Sequence, residues 1–393
     1  MTEAAPVPDI TISQTRRVRE TAVLVAGLAF LALVLAGPRL LDWGPSAERR
    51  EWTFVVSLHC ASDMLVGGRT PVDVATDIVG LRALVAGKDP YPLLGPALLE
   101  NGIDWRVNHE STHPPGAYLI TFPVAFLPIR IAMAAWAWLM LSGIAASLFL
   151  LGLPWRCAVG LAPLSLLWPP AAHSLGQLTV LILLAVAVAM RGGERSSAIA
   201  IGIASIVKLV PGVLLVPFLL ARKWRVAAGV AAVWVVSSLV LLALDAGVFA
   251  RYLEVNRRNA PAVMEREDNA SAVLAPFHQL GVAGGALSGA VLLAVLVVHR
   301  SRKGRDAVLT FSYLSVALLP IAWIYSSLPL LPVYASFLRG RRIPAQALAL
   351  LSFALLLVPP PFGEDSALLI SSSTLLLGVA LSIDRWDPPL HRS

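Results

Sequence analysis

The sequence predicts an all-α polytopic membrane protein of about ten to twelve transmembrane helices, with a long outward first loop that itself contains short helices. Three observations predict it. The 393 residues are 57% hydrophobic and only 14% charged, where a soluble domain has roughly a quarter of its residues charged, and the mean hydropathy is +0.74. The apolar residues come in a series of runs at or near the length of a membrane span. The basic residues behind the net charge of +7 fall in short clusters between those runs, which is the pattern of cytoplasmic loops and not of a nucleic-acid-binding face. Nucleic acid is therefore excluded as a partner, and membrane lipids surround the chain. Cys60 and Cys157 lie far apart without ligand-like neighbours, so they imply neither a disulfide framework nor a zinc site. No metal-ligand cluster, phosphate-binding Gly loop or nucleophile elbow appears, and no metal or cofactor is expected.

In chain order, residues 1–20 form a polar cytoplasmic tail that ends in Arg16, Arg17 and Arg19. The run 21–41 is long enough to span and has no obvious cleavage site, so it reads as an uncleaved first helix with its amino end inside. It opens a transmembrane domain over 21–383, followed by a tail at 384–393. Residues 42–115 contain no run of span length and hold ten of the chain's 24 acidic residues, which marks a first extracytoplasmic loop. Apolar runs follow at 116–128, 131–151, 157–172, 178–190, 197–220, 226–244, 280–298, 307–338, 343–358 and 367–383. Several are shorter than a full span and others are interrupted by Pro or Gly, which predicts broken or re-entrant helices. The basic loops Arg222-Lys223-Trp224-Arg225 and Arg300 to Arg305 are assigned to the cytoplasm. That leaves 245–279 outside as a second extracytoplasmic loop. Gly285-x-x-x-Gly289 reads as helix packing.

The stretch Pro71 to Tyr91 is a short helix with a breaker at each end. Pro71 suits a first helical turn, Asp73 places an anion at the positive end of the helix dipole, and Gly87 with Asp89-Pro90 ends the helix in a turn. Asp73 and Asp77, four residues apart, share one face above the hydrocarbon. Polar residues at membrane depth are costly unless they line a cavity. Lys208 is the clearest case, because Pro211-Gly212 just after it can break the helix and open the ammonium to water or an anion; a structural pairing or a snorkelling side chain is the alternative. Gln177 follows the break at Trp168-Pro169-Pro170 and His173, and either opens a polar spot or bonds helix to helix. His113 precedes two prolines suited to a helix start. Asn269 and Ser271 either form a plain turn or bond a sugar or phosphate at the surface. Trp323 and Tyr325 belong either to the interfacial aromatic belt or to a site.

Taken in order, these residues carry a resemblance. An acidic outer loop ends in G-x-D-P-Y (Gly87 to Tyr91) and is followed by H-P-P (His113 to Pro115), G-Q (Gly176, Gln177) and K-x-x-P (Lys208, Pro211) ahead of R-K-W-R. An N-x-S (Asn269, Ser271) and a P-x-x-W (Pro320, Trp323) then complete a series that resembles glycosyltransferase family 87 over about residues 20 to 345. Near the P-x-x-W, where the family often has histidine, this chain has Ile324 and Tyr325. The resemblance implies the C-type membrane glycosyltransferase fold. It also implies transfer of a sugar, mannose first and arabinofuranose next, from a polyprenyl-phosphate donor to an envelope glycolipid or glycan acceptor on the outer face of the plasma membrane.

The family's base is an acidic residue at the start of the outer loop's short helix. Asp73 and Asp77 are both catalytic candidates, and the longer spacing to Gly87 resembles the family pattern more closely for Asp73. The chemistry agrees, since a carboxylate can take the acceptor's proton and a cation such as Lys208 can stabilise the departing phosphate. His113, Gln177, Asn269, Trp323 and Tyr325 are the remaining substrate-binding candidates. A transporter or flippase of a lipid-linked sugar, built on broken helices with Lys208 at depth, is the alternative function.

Overall fold

A computed structural model describes residues 10–40, 53–68, 73–103, 109–265, 269–299, 301–319, 322–337, 343–357 and 364–383. Pro71, Pro320 and the 384–393 tail lie outside the described residues. Among the described residues the regular structure is helical, with one isolated antiparallel bridge between Leu93 and Glu110. The first part of the chain gives α1 (Ile10–Leu40), α2 (Thr53–Val66), α3 (Asp73–Val85), α4 (Leu94–Glu100), α5 (Gly116–Ala125), α6 (Ile129–Leu150) and α7 (Trp155–Leu164). Next come α8 (Pro169–His173), α9 (Thr179–Arg191), α10 (Glu194–Val207), α11 (Val216–Leu220), α12 (Trp224–Leu244) and α13 (Val248–Met264). The last are α14 (Leu274–His299), α15 (Gly304–Ala317), α16 (Leu331–Phe337), α17 (Ile343–Leu355) and α18 (Glu364–Ile383).

Every expected apolar run is mostly helical over its described part, several with a break inside, and the runs do not all make spans. Among the described residues four helices, with spans at Gln14–Ala36, Ile129–Leu150, Trp224–Leu244 and Leu274–His299, are long and apolar enough to cross a membrane. A fifth arises if the pair Pro169–Gly176 and Thr179–Arg191, bent by 112°, counts as one span. Proline and glycine interrupt the apolar runs. Pro169 and Pro170 supply no N–H to continue the preceding helix, so α8 starts afresh at Pro169 after extended Trp168, while the 112° bend falls between Gly176 and Thr179, where Gln177 is extended. α14 is itself kinked at Gly281, whose φ of 62° and ψ of −146° suit only glycine. In the Gly285-x-x-x-Gly289 stretch, Gly285 makes room for the Phe277 ring of its own helix, whereas Gly289 has no neighbour within 4 Å among the described residues.

The ends of these helices sort by charge. Arg191 donates to the main-chain oxygens of Phe149 and Leu150, and Arg305 donates to that of Met190. Lys223 stands 3.6 Å from Glu194, and Arg156 donates to Thr21 at 3.4 Å. The loops around 151–155, 191–194, 222–224 and 301–305 and the start of α1 therefore gather at one strongly basic end. Because α10 leaves that end at Glu194 and the chain is back there at Lys223, α10 and α11 form a hairpin. Its tip, at Lys208, stands roughly 20 Å from the basic end at 1.5 Å per residue.

At the opposite end the segment before α5 and α13 clasp each other. Glu110 accepts from Arg258 at 2.9 Å and from Asn259 at 2.7 Å. The hydrogen bond from Asn259, with Arg258 beside it, holds Glu110 below the usual carboxylate range. α13 thus lies over the first loop, with Tyr252 against Tyr91 at 6.1 Å between ring centres.

Candidate functional site

α3 begins at Asp73 and ends in a turn at Gly87, whose φ is 68°. Asp73 is half-buried, and its Oδ2 accepts the phenolic proton of Tyr325 at 3.0 Å. Its Oδ1 has no hydrogen-bond partner among the described residues. One turn further on, Asp77 is 1% exposed, and its Oδ1 lies 2.8 Å from His113 Nδ1. Asp77 Oδ2 is buried without a hydrogen-bond partner among the described residues. The ring of His113 is about one-fifth exposed (20%). Its main chain is held on both sides: the N–H donates to Ser111 Oγ at 3.2 Å, and the oxygen accepts from Tyr91 at 3.3 Å.

The two groups shift each other's protonation. Burial raises the Asp77 carboxyl above its ordinary value, and His113 only partly offsets that. Burial works against a charged His113, but the Asp77 charge and hydrogen bond, joined by the charge of Asp73, outweigh it and raise the imidazole above its ordinary value. The dyad therefore holds a proton more firmly than its two groups would separately.

Lys208 reaches the same place from the hairpin tip. α10 stops at Val207, and Lys208 has extended backbone (φ −140°, ψ 129°). The break thus begins at Lys208, ahead of the proline expected to cause it. Gly116 permits the approach, since a Cβ there would lie 2.4 Å from the Ile206 main-chain oxygen. The start of α5, with His113 just before it, is thereby seated against the end of α10. Lys208 Nζ sits 5.2 Å above the Tyr325 ring, and its charge acts on Asp77 and His113. Tyr325 therefore links the carboxylate and the ammonium, with its hydroxyl on Asp73 and its face on Lys208. Trp323 stacks on Tyr325 at 6.0 Å between ring centres and extends the aromatic wall.

The other two expected residues hold the frame. Asn269 Oδ1 accepts the N–H groups of Ser271 and Ala322, and its Nδ2 donates to the Met264 oxygen. This amide staples the end of α13 to the segment leading to Trp323. Gln177 is buried in extended backbone just before α9, and its main-chain oxygen accepts from the Trp136 indole at 3.3 Å. A cavity of about 10 Å³ behind Lys208 is lined by Thr179, Ser315, Ser326 and Pro211, among others. A wider recess, about 590 Å³, is elsewhere: it lies between α1 and α7 at the basic end, beside Arg16 and Arg19, away from every group named above.

The His113–Asp77 pair, the Tyr325–Asp73 bond and the hydroxyl of Thr179 are not apparent in the sequence. Thr179 stands two residues after Gln177, and that proximity is the one signal that pointed toward it.

An all-helical membrane protein with a carboxylate and an ammonium brought together at the end of the molecule opposite its basic loops is the class that fold and site define. The model for Glycosyltransferase family 87 matches residues 112–327. This is more than half of the chain, and the chain belongs to that family. The matched region contains His113, Gln177, Lys208, Asn269, Trp323 and Tyr325, and it begins after Asp73 and Asp77. Membership makes the chain a glycosyltransferase. No curated protein and no solved structure matches it.

Proposed function

We propose that the protein transfers a sugar, mannose first and arabinofuranose next, from a polyprenyl-phosphate donor to a glycolipid or glycan acceptor of the cell envelope. In this reading the fold is the C-type membrane glycosyltransferase fold with ten to twelve spans, and the site faces the extracytoplasmic side of the plasma membrane. The observation that carries the reading is the single aromatic, Tyr325, in contact with both Asp73 and Lys208.

The acceptor hydroxyl attacks the anomeric carbon while Asp73 takes its proton. Tyr325 orients the carboxylate through Oδ2 and leaves Oδ1 facing the acceptor. The bond from the anomeric carbon to the phosphate oxygen breaks, its electron pair stays with the phosphate, and the added negative charge is met by Lys208. Asp77 suits the base role less well, because it is buried and already bonded to His113.

The experiment is sugar transfer by purified variants, measured beside donor binding by the same preparations. Asp73→Asn keeps the shape and loses the base, so transfer should fall about 100-fold to 10,000-fold with donor binding kept. Asp77→Asn should cost much less. Lys208→Met should weaken donor use while leaving expression intact. Near wild-type transfer by Asp73→Asn sinks the base assignment, and loss in Asp77→Asn alone moves the base one turn along α3.

A further inference from the structure

The cavity behind Lys208 has three features that helix packing does not require. Thr179 is 1% exposed, yet its Oγ1 has no hydrogen-bond partner among the described residues. A buried hydroxyl without a partner destabilises the protein that carries it. Thr179 is also the first residue of α9, a 13-residue helix whose preceding residue, Leu178, provides no side-chain cap. The N–H groups of Thr179 and Val180 have no backbone partner among the described residues, so the positive end of the helix faces the cavity uncapped. Across the cavity stands Lys208, whose ammonium has no ion pair within 4 Å among the described residues. Ser326 lines the same space; its Oγ accepts the Trp323 N–H at 3.2 Å and keeps its own proton to donate.

All of these groups are donors or positive ends, and a volume of about 10 Å³ holds roughly one water-sized atom. A whole phosphate does not fit. One phosphate oxygen does, with the phosphorus at the mouth beside Lys208. Resting on the donor reading above, we propose that this cavity is an oxyanion pocket for one non-bridging oxygen of the donor's phosphate, with Thr179 as its hydroxyl donor and the start of α9 as its dipole. When the anomeric bond breaks, the phosphate goes from a singly charged diester to a doubly charged monoester, and the acceptor's proton goes to Asp73. The donors are already in place in a site walled by Ile182, Val316 and Leu319, so they meet the new charge without rearranging and in little water.

The test uses the full chain in detergent, with farnesyl phosphate as probe and farnesol as its neutral counterpart. Wild type should bind farnesyl phosphate more tightly than farnesol. Thr179→Val removes only the hydroxyl, so it should weaken farnesyl phosphate about 10-fold to 100-fold, the range for a hydrogen bond to a charged group, and leave farnesol unchanged. Thr179→Ser should restore phosphate binding. Thermal unfolding of unliganded Thr179→Val should be unchanged or higher than wild type, because an unsatisfied buried hydroxyl has been removed. If Thr179→Val binds farnesyl phosphate like wild type while Lys208→Met does not, the pocket assignment is overturned and the donor reading stands. A clear loss of unliganded stability in Thr179→Val also overturns it, since the hydroxyl would then be part of the fold. If wild type does not prefer farnesyl phosphate to farnesol, the donor reading falls and takes the pocket with it.

Discussion

Asp77 and His113 form a buried pair in which each group changes what the other can do. Both are raised above their ordinary values, Asp77 by burial and His113 by the two carboxylates near it. A raised folded value means that the folded protein holds the proton more tightly than the unfolded chain. The stability that His113 contributes is therefore fully present below its unfolded value of 6.5 and is lost as the pH rises through the higher folded value. Asp77 acts with the same sign from its unfolded value of 3.8 upward. Thermal midpoints in detergent should thus fall as the pH is raised from below 6.5 through the higher folded value. Asp77→Asn removes the charge that raises His113 and should flatten that slope. An equally steep slope in Asp77→Asn would assign the pH response to other groups. Tyr325→Phe tests the neighbouring bond: it keeps the ring under Lys208 and loses the hydroxyl on Asp73. Transfer should fall about tenfold, the scale of one hydrogen bond to a charged group; an unchanged rate would leave Tyr325 as a wall alone.

The elements meet where backbone touches backbone, and Gly116 is the place that matters for the site. In Gly116→Ala the new Cβ meets the Ile206 oxygen at 2.4 Å, and a main-chain oxygen cannot swing aside. The start of α5 must leave the end of α10, separating His113 from Lys208. The expected result is a loss of about 1–3 kcal/mol of stability, as in other overpacked sites, with transfer falling further than stability alone explains. Gly289→Ala is the control. It lies inside a helix with open space around it, so alanine should be neutral or stabilise by about 0.5–1 kcal/mol. These elements also show what a sequence can reveal. The helix beginning near Asp73, its stop at Gly87, the breaks near Pro169 and Lys208 and the series of apolar runs were legible because each depends on neighbours a few residues away. The pairing of Asp77 with His113 was not legible, because no period connects residues 36 apart. Nor was Thr179, since a threonine at a helix start looks the same whether its hydroxyl faces a ligand or a carbonyl. Which of the apolar runs are full spans was not legible, because a broken run and a full span have similar composition.

Across the whole molecule, the segregation of charge makes sidedness testable. The basic loops at 151–155, 191–194, 222–224 and 301–305 collect at one end, and the acidic first loop and the site collect at the other with α13, whose Arg251 and Arg258 are paired with acidic residues there. Positive loops stay in the cytoplasm because moving their charges across hydrocarbon is costly, so the site end should face outward, where a lipid-linked donor and an envelope acceptor meet. Single cysteines introduced as Glu100→Cys, Glu265→Cys and Lys303→Cys, with Cys60 and Cys157 replaced by alanine, report this directly. All three positions are exposed. An impermeant maleimide added to intact cells should label the first two, and Lys303→Cys should react only after permeabilisation. The reverse pattern would put Asp73 and Lys208 on the cytoplasmic side. Labelling of Glu100→Cys without Glu265→Cys would separate the two outer loops that Glu110 and Arg258 join, and would require an odd number of crossings between them. Labelling of both, with Lys303→Cys protected, requires an odd number of crossings between 265 and 303, which the single kinked helix α14 supplies.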